Sequence, residues 1–171
     1  MGGCECIMTR CWISFVGTSP VAVVNTIWAS CKKAHSFIPE RVHLIYTEGP
    51  SGTKKHAEEA KAMISTLLQT YGIKNAEIIL HAICDKPIFE EYEKLLNSII
   101  NGETGEIAID LTPGRKYMSI FLHHIAMNNE KVDRLFYLLL KDNEYLNELY
   151  PVIPYQLQVL FDFKSDVNAS K

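Results

Sequence analysis

Two short stretches of this chain hold the residue types that can handle an anion. FVGTSP runs from Phe15 to Pro20, and IDLTPGRK runs from Ile109 to Lys116. Each leaves an apolar run and turns through small residues. Each then offers a hydroxyl (Ser19, Thr112) suited to capping a helix and a proline (Pro20, Pro113) suited to its first position. A helix N-terminus presents unpaired N–H groups and the positive end of the macrodipole, so two such starts at one crevice favour anions, phosphate above all. Gly17 and Gly114 let backbone approach a ligand closely. Arg115 can hold a phosphate with two hydrogen bonds, and Lys116 adds a mobile point charge. Cations in a first turn oppose the macrodipole, where a plain solvated turn favours Asp or Glu, and this marks Gly114–Lys116 as functional.

Other chemistries are less well supported. Five cysteines, at 4, 6, 11, 31 and 84, fit no disulfide framework and agree with a reducing compartment. Cys4, Cys6 and Cys11 can be read as zinc ligands, but their spacing matches no common zinc module and Cys11 opens an apolar run, so no metal and no cofactor are expected. His123 and His124 are adjacent on a helix and face different directions, which leaves at least one to surface or packing. His81 lies within a strand and reads as structural. Asp110 suits either a ribose or a hydrogen bond to the turn that follows it. There is no G-x-G-x-x-G after the first strand and no G-x-x-x-x-G-K-[ST] anywhere, which disfavours dinucleotide dehydrogenases and P-loop NTPases.

The elements that must position these residues alternate along the chain. Apolar runs at 11–16, 41–46, 76–83, 106–110, 134–140 and 157–163 read as strands, and helical spacing fills the intervals near 20–34, 57–71, 87–102 and 113–127. This order defines an α/β domain with a mainly parallel sheet. Residues 141–156, with two prolines, read as an irregular excursion, residues 1–10 as an extension, and residues 164–171 as a frayed, flexible tail. In the usual doubly wound order the first and fourth strands lie side by side, so both helix starts should reach one cleft.

The chain has 171 residues, 47% of them hydrophobic, enough for one domain with its own core. Seventeen Lys and Arg against twenty Asp and Glu give a net charge of -3, which speaks against duplex nucleic acid as a partner. No window of about 18 apolar residues and no signal-peptide pattern occur, so no membrane partner and a cytoplasmic location are expected.

At these residues the sequence resembles the CARF family, Rossmann-like domains that sense cyclic oligoadenylates in type III CRISPR defence. The resemblance rests on VGTSP, on IYTEG after the second strand, and above all on IDLTPGRKYMSIFLHHIA. There Asp110, Thr112, Gly114, Lys116 and Met118 match the family's D-x-T-x-G-x-K-x-M pattern. It covers roughly residues 11–163 and implies a single Rossmann-like domain of about six strands flanked by helices. It also implies a ligand site from Gly17, Thr18, Glu48, Asp110, Thr112, Pro113, Gly114, Arg115, Tyr117 and Met118, with Glu48 beside an adenine and Tyr117 able to stack on a base. No HEPN R-x(4)-H motif, and no nuclease or winged-helix domain, fits within these residues.

Two expectations follow from the resemblance. The first is a homodimeric ring nuclease that cleaves cyclic tetra-adenylate without metal to linear oligoadenylates with 2',3'-cyclic phosphate ends, Lys116 and Ser19 (or Thr18 in its place) being catalytic. The alternative is a non-catalytic cyclic oligoadenylate sensor that serves an effector or transcriptional regulator.

Overall fold

The computed structural model describes residues 9–32, 36–86 and 88–168. The chain forms β1 (Cys11–Phe15), α1 (Pro20–Ser30), β2 (Arg41–Glu48), α2 (Lys54–Thr70), β3 (Glu77–Cys84) and α3 (Phe89–Gly102). It continues as β4 (Ile107–Asp110), α4 (Lys116–Met127), β5 (Val132–Leu140), β6 (Gln158–Asp162) and α5 (Phe163–Asn168). The sheet order is β3-β2-β1-β4-β5-β6, parallel throughout except for β6, which runs antiparallel to β5. The chain winds outward from β1 to β3, then returns to lay β4 on the other side of β1. The direction of winding therefore reverses between β1 and β4, where open α/β sheets bind their ligands.

β1 is buried on both faces, which is why it reads as a continuous apolar run. Its side chains alternate between two cores. Cys11, Ile13 and Phe15 pack with α3 and α4 through Tyr92, Leu96, Met118 and Leu122. Trp12 and Val16 pack with α1 and α2 through Val23, Ile27, Ala60 and Ile64. Trp12 stacks on Phe136 of β5 with ring centroids 5.4 Å apart, so truncation of Trp12 to alanine should cost about 3–5 kcal/mol. No helix among the described residues is long and apolar enough to cross a membrane.

Several boundaries differ from the expectation. α4 begins at Lys116, with Arg115 as its N-cap, and not at Pro113. The Thr112 hydroxyl is taken by the Leu138 N–H of β5 at 2.8 Å, and Gly114 has φ +98°, so the backbone enters its helical path only after the glycine. β6 stops at Asp162, and the segment expected to be a frayed tail turns into α5. The buried Asp162 carboxylate anchors that turn, accepting from Arg134 Nη1 and Ser165 Oγ at 2.8 Å each and from the Leu135 and Lys164 N–H groups at 3.2 Å each. α1 ends at Ser30. Cys4, Cys6, Ala34, Pro87 and residues 169–171 lie outside the described residues.

Candidate functional site

Because β1 and β4 are hydrogen-bonded neighbours, with Ser14 opposite Asp110, the two turns that leave them emerge side by side. They touch. A Cβ built on Gly17 would lie 3.1 Å from the Gly114 nitrogen and 3.3 Å from its Cα. The space that Gly17 keeps open is thus filled by the second turn, where a ligand's approach had been expected. Gly114 is required for a second reason, since its φ of +98° is one that side chains rarely adopt.

Neither helix start has an acidic residue in its first turn, and no hydroxyl or carboxylate caps either one. α3, by contrast, opens with Glu90 and Glu91. Ser19 sits at the N-cap of α1 as its sequence position requires, but its hydroxyl does not cap the helix. It donates to Asn147 Oδ1 at 2.7 Å, on the excursion between β5 and β6. At α4 the Arg115 N–H meets only Met118 Sδ, at 3.5 Å. The turns that lead into two positive helix ends therefore touch, and neither helix carries an acid in its first turn, which is an arrangement that favours a bound anion.

The expected site residues distribute over three cavities. A small cleft of about 100 Å³ between the turns is lined by Gly17, Thr18, Thr47, Thr53, Gly114 and Arg115. Arg115 Nη2 pairs with Asp85 Oδ1 at 2.8 Å, just past the end of β3. Lys116 lines a separate cavity of about 580 Å³ that shares only Gly114 with the cleft and includes Thr112, Ser119, His123 and Tyr137. It forms no ion pair among the described residues. Ser19 lines a third cavity, of about 140 Å³, with Asn147. Within one chain, then, Lys116 and Ser19 do not face a common space.

Several of the remaining residues support the turns from below. Asp110 is fully buried, accepting from the Thr112 N–H at 2.8 Å with the Ser14 hydroxyl 3.3 Å from its other oxygen. Of its two expected roles the structure gives it the hydrogen bond to the following turn, and burial pushes its carboxyl up to about 7 against those hydrogen bonds. Met118 is buried under Gly114, and Pro113 is buried beside it. Tyr117 is half-buried, edge-on to Tyr92 at 6.4 Å, so the core already uses the ring expected to stack on a base. Glu48 is exposed at the end of β2. Sequence reasoning missed Thr47, Thr53, Asp85 and Asn147. Asp85 has a signal, an acid directly after a strand at the sheet's C-terminal edge; the others do not.

At the opposite end of the sheet, Cys11, His43 and Glu103 place ligand-type atoms within 4.8 Å of one another. Glu103 already accepts from Arg41 Nη1 at 3.0 and 3.2 Å and pairs with His43 Nε2 at 3.0 Å, while His43 Nδ1 meets His81 Nε2 at 2.8 Å. An ion here would have to displace Arg41. Burial raises the Cys11 thiol and lowers both histidines, which favours the neutral form of each. His81 is half-buried, with its ring stacked on that of His43. His123 is exposed and edge-on to Phe163, and His124 is exposed.

A mostly parallel sheet with a reversal between β1 and β4, and helix starts following the two turns at that reversal, define a Rossmann-like α/β domain. The sequence matches the family model for the Card1 CARF domain over residues 13–160, and the chain belongs to that family. Among solved structures it is similar to Enterococcus italicus Csm6 bound to cyclic hexa-2'-fluoro-hexa-dAMP, with a TM-score of 0.63 and 15% identity. The alignment covers 95% of this chain and 44% of that one, so the chain spans less than half of that protein's length. No curated protein matches it by sequence.

Proposed function

We propose that this CARF domain binds a cyclic oligoadenylate, most favourably cyclic tetra-adenylate, at the paired helix starts of a homodimer and cleaves it without metal. The observation that carries the reading is the contact of the two turns that lead into uncapped helix N-termini, neither with an acid in its first turn and the second bearing Arg115 and Lys116. Membership of the Card1 CARF family and the fold shared with a ring-bound Csm6 support it.

The chemistry needs little beyond positioning. A ribose 2'-hydroxyl attacks its own 3'-phosphate and expels the 5'-oxygen, leaving a 2',3'-cyclic phosphate and a 5'-hydroxyl. The chain must hold the in-line geometry and stabilise the charge that develops on the phosphoryl oxygens. Helix N–H groups and Arg115 hold phosphates, Lys116 neutralises the developing charge or protonates the leaving oxygen, and Ser19 orients the scissile group.

A twofold assembly suits a ring with near twofold symmetry. Ile120, which lines the cavity that holds Lys116, is 71% exposed, apolar surface that a second copy would cover. The alternative, a silent sensor, is favoured by one observation: Lys116 and Ser19 line different cavities of the same chain. Catalysis therefore requires that the dimer bring Lys116 of one copy and Ser19 of the other to one ring, or that the ring span both cavities.

Incubation with each ring size in EDTA, followed by mass analysis, tests the proposal. A ring carrying fluorine in place of the 2'-hydroxyl serves as the uncleavable control. Linear products with 2',3'-cyclic phosphate ends are expected from the hydroxyl ring alone, with linear RNA and duplex DNA left intact. Binding without turnover establishes the sensor, and no binding to any ring overturns both readings.

A further inference from the structure

The segment between β5 and β6 leaves the same edge of the sheet as the two helix starts, and it is tied down across α1. Asn25 of α1 is buried and grips it at two points, its Nδ2 donating to the Glu148 carbonyl and its Oδ1 accepting from the Tyr150 N–H, both at 2.8 Å. Gln158 Nε2 donates to the Tyr150 and Ile153 carbonyls at 3.1 Å each, and Trp28 stacks on Tyr150. These ties deliver Asn147 to the N-terminus of α1 with φ +69°, in the left-handed region that asparagine tolerates better than most residues. There its Oδ1 accepts the Ser19 hydroxyl at 2.7 Å, taking that hydroxyl away from the cap it would otherwise make. Asn147 is exposed, and its Nδ2 donates to no protein group among the described residues.

We propose that Asn147 is part of the ligand site, holding the Ser19 hydroxyl in a fixed direction through Oδ1 and donating from Nδ2 to a phosphate or ribose oxygen of the bound ring. The inference rests on the reading above and adds a residue from a segment that the family motif does not include. An unusual backbone conformation, held by the ties that follow it at Glu148, Tyr150 and Ile153, is the kind of local strain that marks a functional position. An exposed turn whose only role was to close a loop would gain nothing from drawing the N-cap serine away from its helix.

The test is the affinity of the full chain for cyclic tetra-adenylate and its 2'-fluoro form, with thermal stability measured alongside. Asn147→Gly keeps the left-handed backbone without strain and removes only the amide, so the fold should be as stable as wild type while ring affinity falls roughly 10-fold, the scale of a lost hydrogen bond. Asn147→Asp keeps an acceptor for Ser19 but turns the donor into an anion. Its loss should be larger and should shrink as salt rises. Wild-type affinity in both variants overturns the role of Asn147 and leaves the ring-binding reading standing. Failure of the wild-type chain to bind any ring overturns that reading itself, so the two failures are distinct.

Discussion

Gly17 and Gly114 are 97 positions apart in number and in van der Waals contact in the fold: a Cβ on the first would sit 3.1 Å from the nitrogen of the second. Gly17→Ala must push the two turns apart by a few tenths of an ångström, and the cost falls on ligand geometry more than on the core. The expected result is a folded protein with weakened ring binding, read by titration at constant thermal stability. Gly114→Ala adds a strained φ of +98° and should lower stability as well, by about 1–3 kcal/mol. Equal effects of the two changes on stability would contradict this division.

Arg115 is held by Asp85 at 2.8 Å, and a phosphate entering the cleft must share or replace that partner. Asp85→Asn removes the competing charge and should tighten ring binding several-fold, most clearly at low salt. Arg115→Ala should weaken binding with the same salt dependence. A loss of affinity in Asp85→Asn would show that Asp85 instead aims the guanidinium at the ligand.

Lys116 makes no ion pair among the described residues, so its charge is free for the developing phosphorane. Lys116→Ala should lower the cleavage rate more than it lowers affinity, because the charge it meets grows toward the transition state. Cleavage at the wild-type rate by a folded Lys116→Ala protein would remove Lys116 from catalysis.

Asp110 gives a pH signature. Burial raises its carboxyl from 3.8 unfolded to about 7 folded, so the native state binds more protons between those values. Its contribution to stability is greatest below pH 3.8 and is lost as pH rises through about 7, by roughly 4 kcal/mol in total. Asp110→Asn keeps an acceptor for the Thr112 N–H and carries no charge. Denaturant midpoints should therefore fall less steeply between pH 4 and 7 in the variant than in wild type.

The elements from β1 to β6 and their order were legible in the amino-acid sequence, because burial on both faces writes β1 as one apolar run, and amphipathic spacing writes α2 and α3. The two helix starts and their cations were legible for the same local reason: turn residues and caps act on their near neighbours. The pairing of Gly17 with Gly114 required the adjacency of β1 and β4, which strand order sets and no local pattern encodes. The start of α4 was misread because the Thr112 hydroxyl, a good cap by type, is claimed by the Leu138 N–H from the next strand. In the same way Asp85 for Arg115, and Asn147 for Ser19, come from distant segments. A side chain's type states what it can bond, while its partner is decided by which segments the sheet and its connections bring within about 3 Å.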